Sequence, residues 1–318
     1  MVSALKRPRV VTHAGPFHAD ELFGVAVFCS CEREQSPRVE RLRRDRLKAR
    51  MIDWEARGIS VLALVDIGGE SDPARGRFDH HQRGFDERRA NGLLYASFGL
   101  VWRALGERWM LEVAGAAPNE AAVAAEAMDR LLVQTVDASD TGATFFSVAP
   151  DGVTEAIFPA TVAVLAGWRV PLFGEPRDYD RAFRRALPWA EEVLRTAAVA
   201  ALDEVRAAAH VAESDDGSPL LVLGRPTNWF QHTRQHHRLV LFPGDGETPW
   251  YLQTVPMLGE PHRSLLPLPA AWAGLRGMAL ERATGVKGAV FCHSGRWIAG
   301  AATQEAAMRM AEIALSTG

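Results

Sequence analysis

Four of the ten histidines fall in two short segments, each beside carboxylates. "THAGPFHADE" (residues 12–21) carries His13, His18 and Asp20, and "FDHHQ" (residues 78–82) carries Asp79, His80 and His81. Asp66 lies in "LVDIGG", and Asp137 and Asp140 lie in "VDASDTG". Two divalent cations held about 3.5–4 Å apart need several nitrogen and oxygen ligands and a shared carboxylate. Imidazole and carboxylate without thiolate suit manganese, magnesium, cobalt or iron better than a soft-metal site. A lone histidine at a strand end is usually a hydrogen-bonded structural residue. Four imidazoles with matched acids favour ligation over that reading.

These residues need elements that bring them together. "RVVTHAG" (residues 9–15) reads as a buried strand, "ADELFGVAVFCS" (19–30) as a helix, and "VERLRRD" (39–45) as a more exposed strand. "ISVLALVDIGG" (59–69) is continuously apolar and closed by a Gly-Gly turn, so it reads as the clearest strand. Helical spacing follows at residues 93–105 and 119–136. Such β–α alternation predicts a doubly wound parallel sheet, in which ligands gather at the carboxyl ends of the strands. A helix over residues 179–211 is expected to kink or break at Pro188. "AESDDGSP" (212–219) reads as a linker, followed by short strands and a final helix at 304–316. The expected domains are 1–214, which binds metal, and 215–318, a smaller α/β domain that binds substrate, with the active site in the cleft between them.

Bulk composition narrows the function. At 47% hydrophobic and 24% charged residues, the 318-residue chain has an ordinary globular make-up. A net charge of −3 supplies no global attraction to nucleic acid, so any basic surface must be local. Three cysteines form no disulfide framework, and Cys29 and Cys31 are expected to be inert. No apolar run approaches a membrane span, and the first residues lack a signal-peptide pattern, which together predict a cytoplasmic protein. "RLRRDRLKAR" (41–50) reads as a solvated charged face. "HTRQHHRL" (232–239) reads as a polar loop, because no carboxylate lies within it.

The order "VDIGG…RFDHHQ" resembles the DHH phosphoesterase superfamily. Within it the chain is similar to the Myg-type branch, whose opening pattern His-x-Gly-x-Phe-His-x-Asp-Glu stands here as "HAGPFHADE". The likeness extends to "VPMLGEPHRSLLPLPAAWAGL" and "GVKGAVFCHSGRWIAGAATQEAAMRMA" near the carboxyl end. It implies two divalent ions, Mn2+ first, with Mg2+ or Co2+ as alternatives. His13, His18 and Asp66 would hold one ion. Asp20, Asp66, His80 and an acid of "VDASD" would hold the other, with Asp66 bridging and Asp137 favoured over Asp140. His81 would face the scissile phosphate, and Asp79 would buttress a histidine. His18 stands where many relatives carry an aspartate, which removes one negative charge from the first ion's surroundings.

The resemblance also implies a substrate loop in the second domain. "HSGRWIAGA" is the candidate, with His293, Arg296 and Gly300, alongside Arg263 beside His262, and Arg83 after the DHH triplet. Trp297 is placed to stack on a base. No basic stripe is interleaved with aromatics, so a short single-stranded RNA or DNA, or a nucleotide, fits better than a long strand. The eukaryotic member of the branch is described as an RNA exonuclease, so the expectation is a 3'-5' exonuclease. The alternatives are a small-molecule phosphatase or pyrophosphatase, and a non-catalytic metal-binding scaffold. The apolar final helix is compatible with a homodimer.

Overall fold

The computed structural model describes residues 7–143 and 178–317, apart from 245, 247 and 259. Its contacts divide the chain into two compact units, the first ending at Leu202 and the second beginning at Asp203.

The first unit is built on a five-stranded sheet of order β2-β1-β3-β5-β4. The strands are β1 (Arg9–His13), β2 (Arg38–Leu42), β3 (Val61–Val65), β4 (Ser71–Asp72) and β5 (Arg77–Phe78). All neighbours are parallel except β4, which runs antiparallel to β5. Parallel strands are covered on both faces, which is why β3 reads as an unbroken apolar run and Val10 and Val11 stand together in β1. On one face Val11 and Leu64 pack with Trp54, Leu47 and Met51 of helix α2 (Arg44–Ala56). On the other lies α1 (Ala19–Cys31), where Gly24 comes so close that an added Cβ would sit 3.0 Å from Val65 Cγ1. The doubly wound α/β arrangement is therefore present.

Helix α3 (Ser97–Glu112) starts four residues later than the apolar spacing suggests. Residues before it are held in loop pairings, including Arg89 N–H to Leu93 C=O at 2.9 Å. The alanine-rich stretch is helical without a break over residues 121–140. It forms α4 (Ala121–Met128), a π-helical turn (Asp129–Val133) and α5 (Gln134–Asp140). The π turn shifts the rotational register of α5 relative to α4.

Of the kink or break expected at Pro188, the break does not occur: α6 runs Tyr179–Ser214 with Pro188 inside it. Proline removes one intrahelical hydrogen bond. Burial of Phe183, Ala190 and Leu194 on either side keeps the helix in place, with Phe183 edge-on to Phe17 at 5.2 Å. Helix α6 ends where the boundary at 214/215 was expected, whereas the division between units falls earlier, within it.

In the second unit a sheet of order β11-β12-β8-β7-β6 is antiparallel except for its β6–β7 pair. Its strands are β6 (Leu220–Val222), β7 (Leu239–Pro243), β8 (Trp250–Thr254), β11 (Ala289–Cys292) and β12 (Ile298–Ala301), with a separate ribbon of β9 (Pro256–Met257) and β10 (Glu260–Ser264). Alternation along β7 shows the two faces. Leu239 and Leu241 join a core with α7 (Gly277–Thr284) and α8 (Gln304–Thr317), and Val240 joins one with Val211 and Trp229. No described helix is long and apolar enough to cross a membrane.

Candidate metal centre

The carboxyl ends of β1, β3 and β5 converge, as parallel topology requires. His13 closes β1, Asp66 follows β3, and residues 79–81 follow β5. Asp66 turns the chain sharply with φ +56°, a left-handed conformation that Asp tolerates better than most residues. His18 caps α1: its backbone N–H donates to Glu21 Oε2 at 2.9 Å. The other Glu21 oxygen, Oε1, lies 3.0 Å from His13 Nε2, which is also 3.2 Å from Asp66 Oδ2. Ligand atoms of His13, His18, Glu21 and Asp66 all lie within 4.8 Å of one another.

A second grouping within the same 4.8 Å limit comprises Asp20, His80 and Asp140. His80 Nε2 stands 3.1 Å from Asp140 Oδ2, and its Nδ1 stands 3.1 Å from Ser97 Oγ and 4.0 Å from Asp66 Oδ1. Asp20 accepts the first N–H groups of α3, from Ser97 at 3.1 Å and Phe98 at 2.7 Å. A third set joins Asp66 and His80 to Asp79 and His81. Asp79 is fully buried, accepting Gly69 N–H at 2.6 Å and His81 N–H at 3.1 Å, and lies 2.9 Å from His81 Nδ1.

The favoured Asp137 does not join these groups. Its Oδ1 accepts Gly99 N–H at 2.9 Å, and its Oδ2 pairs with Arg89 Nη1 at 2.8 Å. Asp140, one turn on, takes the place beside His80 and lies 3.8 Å from His18. The physical reason is the exposed backbone donors at the start of α3, which engage Asp20 and Asp137 together.

Three features fit this donor set to divalent cations. Its ligands are nitrogen and oxygen only. Asp66 Oδ1 and Glu21 Oε1 are buried without an aligned hydrogen bond, although imidazole nitrogens stand 3.0 Å from each. Charge is also out of balance: burial, with the carboxylates of Asp140, Asp66 and Asp137, pushes Asp20 well above the usual carboxylate range. Burial opposes protonation of His13, but the adjacent Asp66 and Glu21 carboxylates push it up to about 10. The Asp66 and Asp79 contacts, against burial, raise His81 to about 9. Burial would raise Asp66, yet His13 and His81 hold it below the ordinary range. Burial lifts Asp137 to about 7 against Arg89 and the Gly99 N–H.

Of the remaining predicted residues, Arg83 belongs to the first unit and the others to the second. Arg83 is exposed two residues beyond His81. In the second unit Arg263 pairs with Glu260 at 2.9 Å. His293, Arg296 and exposed Trp297 belong to the tight β11–β12 hairpin, where Arg296 adopts φ +59°. Gly300 is not open to an anion. It is buried in β12, where an added Cβ would lie 2.5 Å from Thr248 Cγ2 and 2.6 Å from Phe291 Cε1, so it serves packing.

Sequence reasoning missed Glu21, although it closes "HADE" and follows Asp20 directly. It also missed Arg44 at the start of α2, whose half-exposed guanidinium lies 3.9 Å from both Asp66 and Asp79 carboxylates. A third omission concerns the second unit. Asp215, from beyond the "HTRQHH" segment, lies 2.9 Å from His236 Nε2 and 3.2 Å from His237 Nε2. His237 Nδ1 accepts Arg234 N–H at 3.0 Å, so in the neutral ring the proton resides on Nε2 and faces Asp215. That tautomer leaves no lone pair for a cation.

Comparison with known proteins gives a consistent set of matches. The MYG1_exonuc family model, described as an uncharacterised protein family (UPF0160), matches residues 9–315. MYG1 exonuclease of Rattus norvegicus is 29% identical over 339 residues, covering 97% of this chain and 85% of the relative. MYG1 protein of Chlamydia muridarum is 30% identical over 302 residues, covering 92% and 91%. Among solved structures, the exonuclease RecJ bound to manganese aligns with 98% of this chain and 91% of its own, at 14% identity and a TM-score of 0.30.

Proposed function

This chain belongs to the MYG1_exonuc family, and on that premise we propose that it is a metal-dependent phosphodiesterase of the DHH type that removes nucleotides 3'-5' from short single-stranded RNA or DNA. One observation carries the reading. Imidazole and carboxylate atoms from four separated segments form three overlapping groups, each within 4.8 Å and linked through Asp66 and His80, and two buried carboxylate oxygens there lack aligned partners. In this proposal His13, His18, Glu21 and Asp66 hold one divalent ion, and Asp20, His80 and Asp140 hold the other, with Mn2+ as the first candidate.

Divalent cations in such a site supply a nucleophile from water near neutral pH and draw charge from the phosphoryl oxygens. The chain's own residues do the rest. Asp79 fixes the His81 ring through Nδ1, which leaves Nε2 to contact the substrate. That ring nitrogen is positioned to pass a proton to the departing oxygen. Arg44, half exposed beside Asp66 and Asp79, is placed to bind a non-bridging oxygen. Arg83, two residues beyond His81, supplies a further phosphate contact, and 215–318 is proposed as a substrate-binding domain through its His293–Arg296 hairpin.

The test is metal analysis of the purified protein together with hydrolysis of labelled RNA and DNA oligomers in manganese and in magnesium. The control is the His13→Ala/Asp66→Ala variant. Stepwise loss of single nucleotides from the 3' end, absent in the control, supports the reading. Phosphate release from nucleotides or pyrophosphate without oligomer cleavage replaces it with a small-molecule phosphatase. Metal bound without turnover on any ester replaces it with a scaffold.

A further inference from the structure

Beside the metal centre a groove of about 880 Å³ runs between helix α2 and the β3–β5 side of the sheet. Its floor is aliphatic, with Leu47 and Met51 from the helix and Ile67 from the segment after β3. Its rim carries four cations, Arg44, Lys48, Arg75 and Arg77, against one carboxylate, Glu55. Arg75 is engaged by Glu70 at 2.7 Å, whereas Arg77 turns to the backbone carbonyls of Arg75 and Gly76. Three other cavities give a contrast. Two balance three cations with three carboxylates, and the third has two arginines and one aspartate. Among these four cavities the excess of positive charge lies in this groove, in a chain of net charge −3.

The groove is also joined to the chemistry. Gly69 lines it and donates its N–H to Asp79, while Arg44 lines it and reaches Asp66 and Asp79. An anion bound at Arg44 is thus next to the candidate cations, and Lys48 lies one helical turn further along the same face of α2.

We propose that this groove binds the backbone of a single-stranded nucleic acid next to the scissile phosphate, with Arg44 and Lys48 on successive phosphates and the aliphatic floor under the sugars and bases. The proposal rests on the phosphodiesterase reading above and extends it to an oligomer with a defined path. The positive rim supplies the electrostatic attraction that the chain as a whole lacks. The floor contains no aromatic side chain, so affinity comes mainly from phosphate contacts, and the groove distinguishes sequences weakly.

Lys48→Glu and Glu55→Lys provide the test, because both positions are exposed on α2 and the substitutions shift charge in opposite directions. Fluorescence anisotropy with a short, phosphorothioate-linked, single-stranded oligonucleotide measures binding across a salt series, and circular dichroism checks folding. The expected result is Lys48→Glu binding at least about threefold more weakly and Glu55→Lys more tightly than wild type. The slope of log affinity against log salt should flatten by about 0.7 in Lys48→Glu, the value for one lost phosphate contact on a single strand. If wild type shows metal-dependent cleavage of oligomers while both folded variants bind like wild type, the groove assignment is overturned and the phosphodiesterase reading stands. If wild type neither binds nor cleaves oligomers, both are overturned.

Discussion

The backbone N–H of Gly99 donates to Asp137 Oδ1 at 2.9 Å, at the start of α3. This contact takes Asp137 away from the histidines and leaves Asp140 to face them. It also demands glycine, since a Cβ at residue 99 would collide with Asp137 Oδ2 and lie 2.8 Å from Arg89 Nη2. Neither neighbour can retreat: Asp137 is fully buried, and Arg89 is clamped by Asp129 through contacts of 2.9 and 2.7 Å.

Gly99→Ala should therefore destabilise the protein by about 3 kcal/mol, the upper end of the usual range for overpacking, because the displaced groups are a buried ion pair. Urea unfolding with unchanged m-value measures this. A loss below about 0.5 kcal/mol, the range of ordinary surface changes, would show that Asp137 is not held as described.

Asp137→Asn and Asp140→Asn should separate stability from metal binding. Asp137→Asn keeps an oxygen for Gly99 but leaves Arg89 with Asp129 alone, so its melting temperature falls while its metal content is kept. Asp140→Asn has little effect on the metal-free fold and loses at least one bound ion, read by elemental analysis after dialysis. The reverse pattern would restore Asp137 as the ligand.

Glu21→Gln tests a carboxylate that the sequence reading passed over. Glutamine keeps an oxygen for the His18 N–H, so α1 should fold normally. Loss of the buried charge beside His13 should weaken manganese binding by about 10-fold or more, comparable to changes at groups supporting metal ligands. Isothermal calorimetry decides it, and wild-type affinity would remove Glu21 from the centre.

Asp215 carries a pH-dependent contribution of opposite origin. The Gly217 N–H and the His236 and His237 contacts depress its carboxyl to about 2. Its unfolded-chain value is about 3.9. A depressed carboxyl contributes fully above the unfolded value, and the contribution is lost as pH falls through the folded one. The stability difference between wild type and Asp215→Asn should thus hold steady above about pH 4 and shrink towards pH 2. A difference that is flat down to pH 2 by urea unfolding would contradict the arrangement. The same cluster should bind no divalent ion, so Asp215→Asn should keep the wild-type metal content.

Much of the first unit was legible because its signals are local. Unbroken apolar runs at 10–11 and 61–65 mark strands buried on both faces, and parallel pairing then brings the residues after them to one edge. His13, Asp66, His80 and His81 come together for that reason alone. Pro188, where a kink or a break was expected, does not end the helix, because burial of Phe183 and Leu194 holds both sides of it. Gly300 misled: a glycine near basic residues suggests anion binding, but Phe291 and Thr248 fill the space beside it.

The sequence by itself determined the ligand types, their order and the strand ends that carry them, because alternation and apolar runs are properties of neighbouring residues. Only the tertiary structure decided what each carboxylate does. Asp20 and Asp137 meet α3 backbone donors from 77 and 38 positions away, and Asp215 meets histidines 21 and 22 positions away. A carboxylate's role depends on which donors and cations come within about 3 Å of it. Those neighbours are brought by the packing of distant elements, and here also by a π-helical turn that sets the rotation of Asp137 and Asp140.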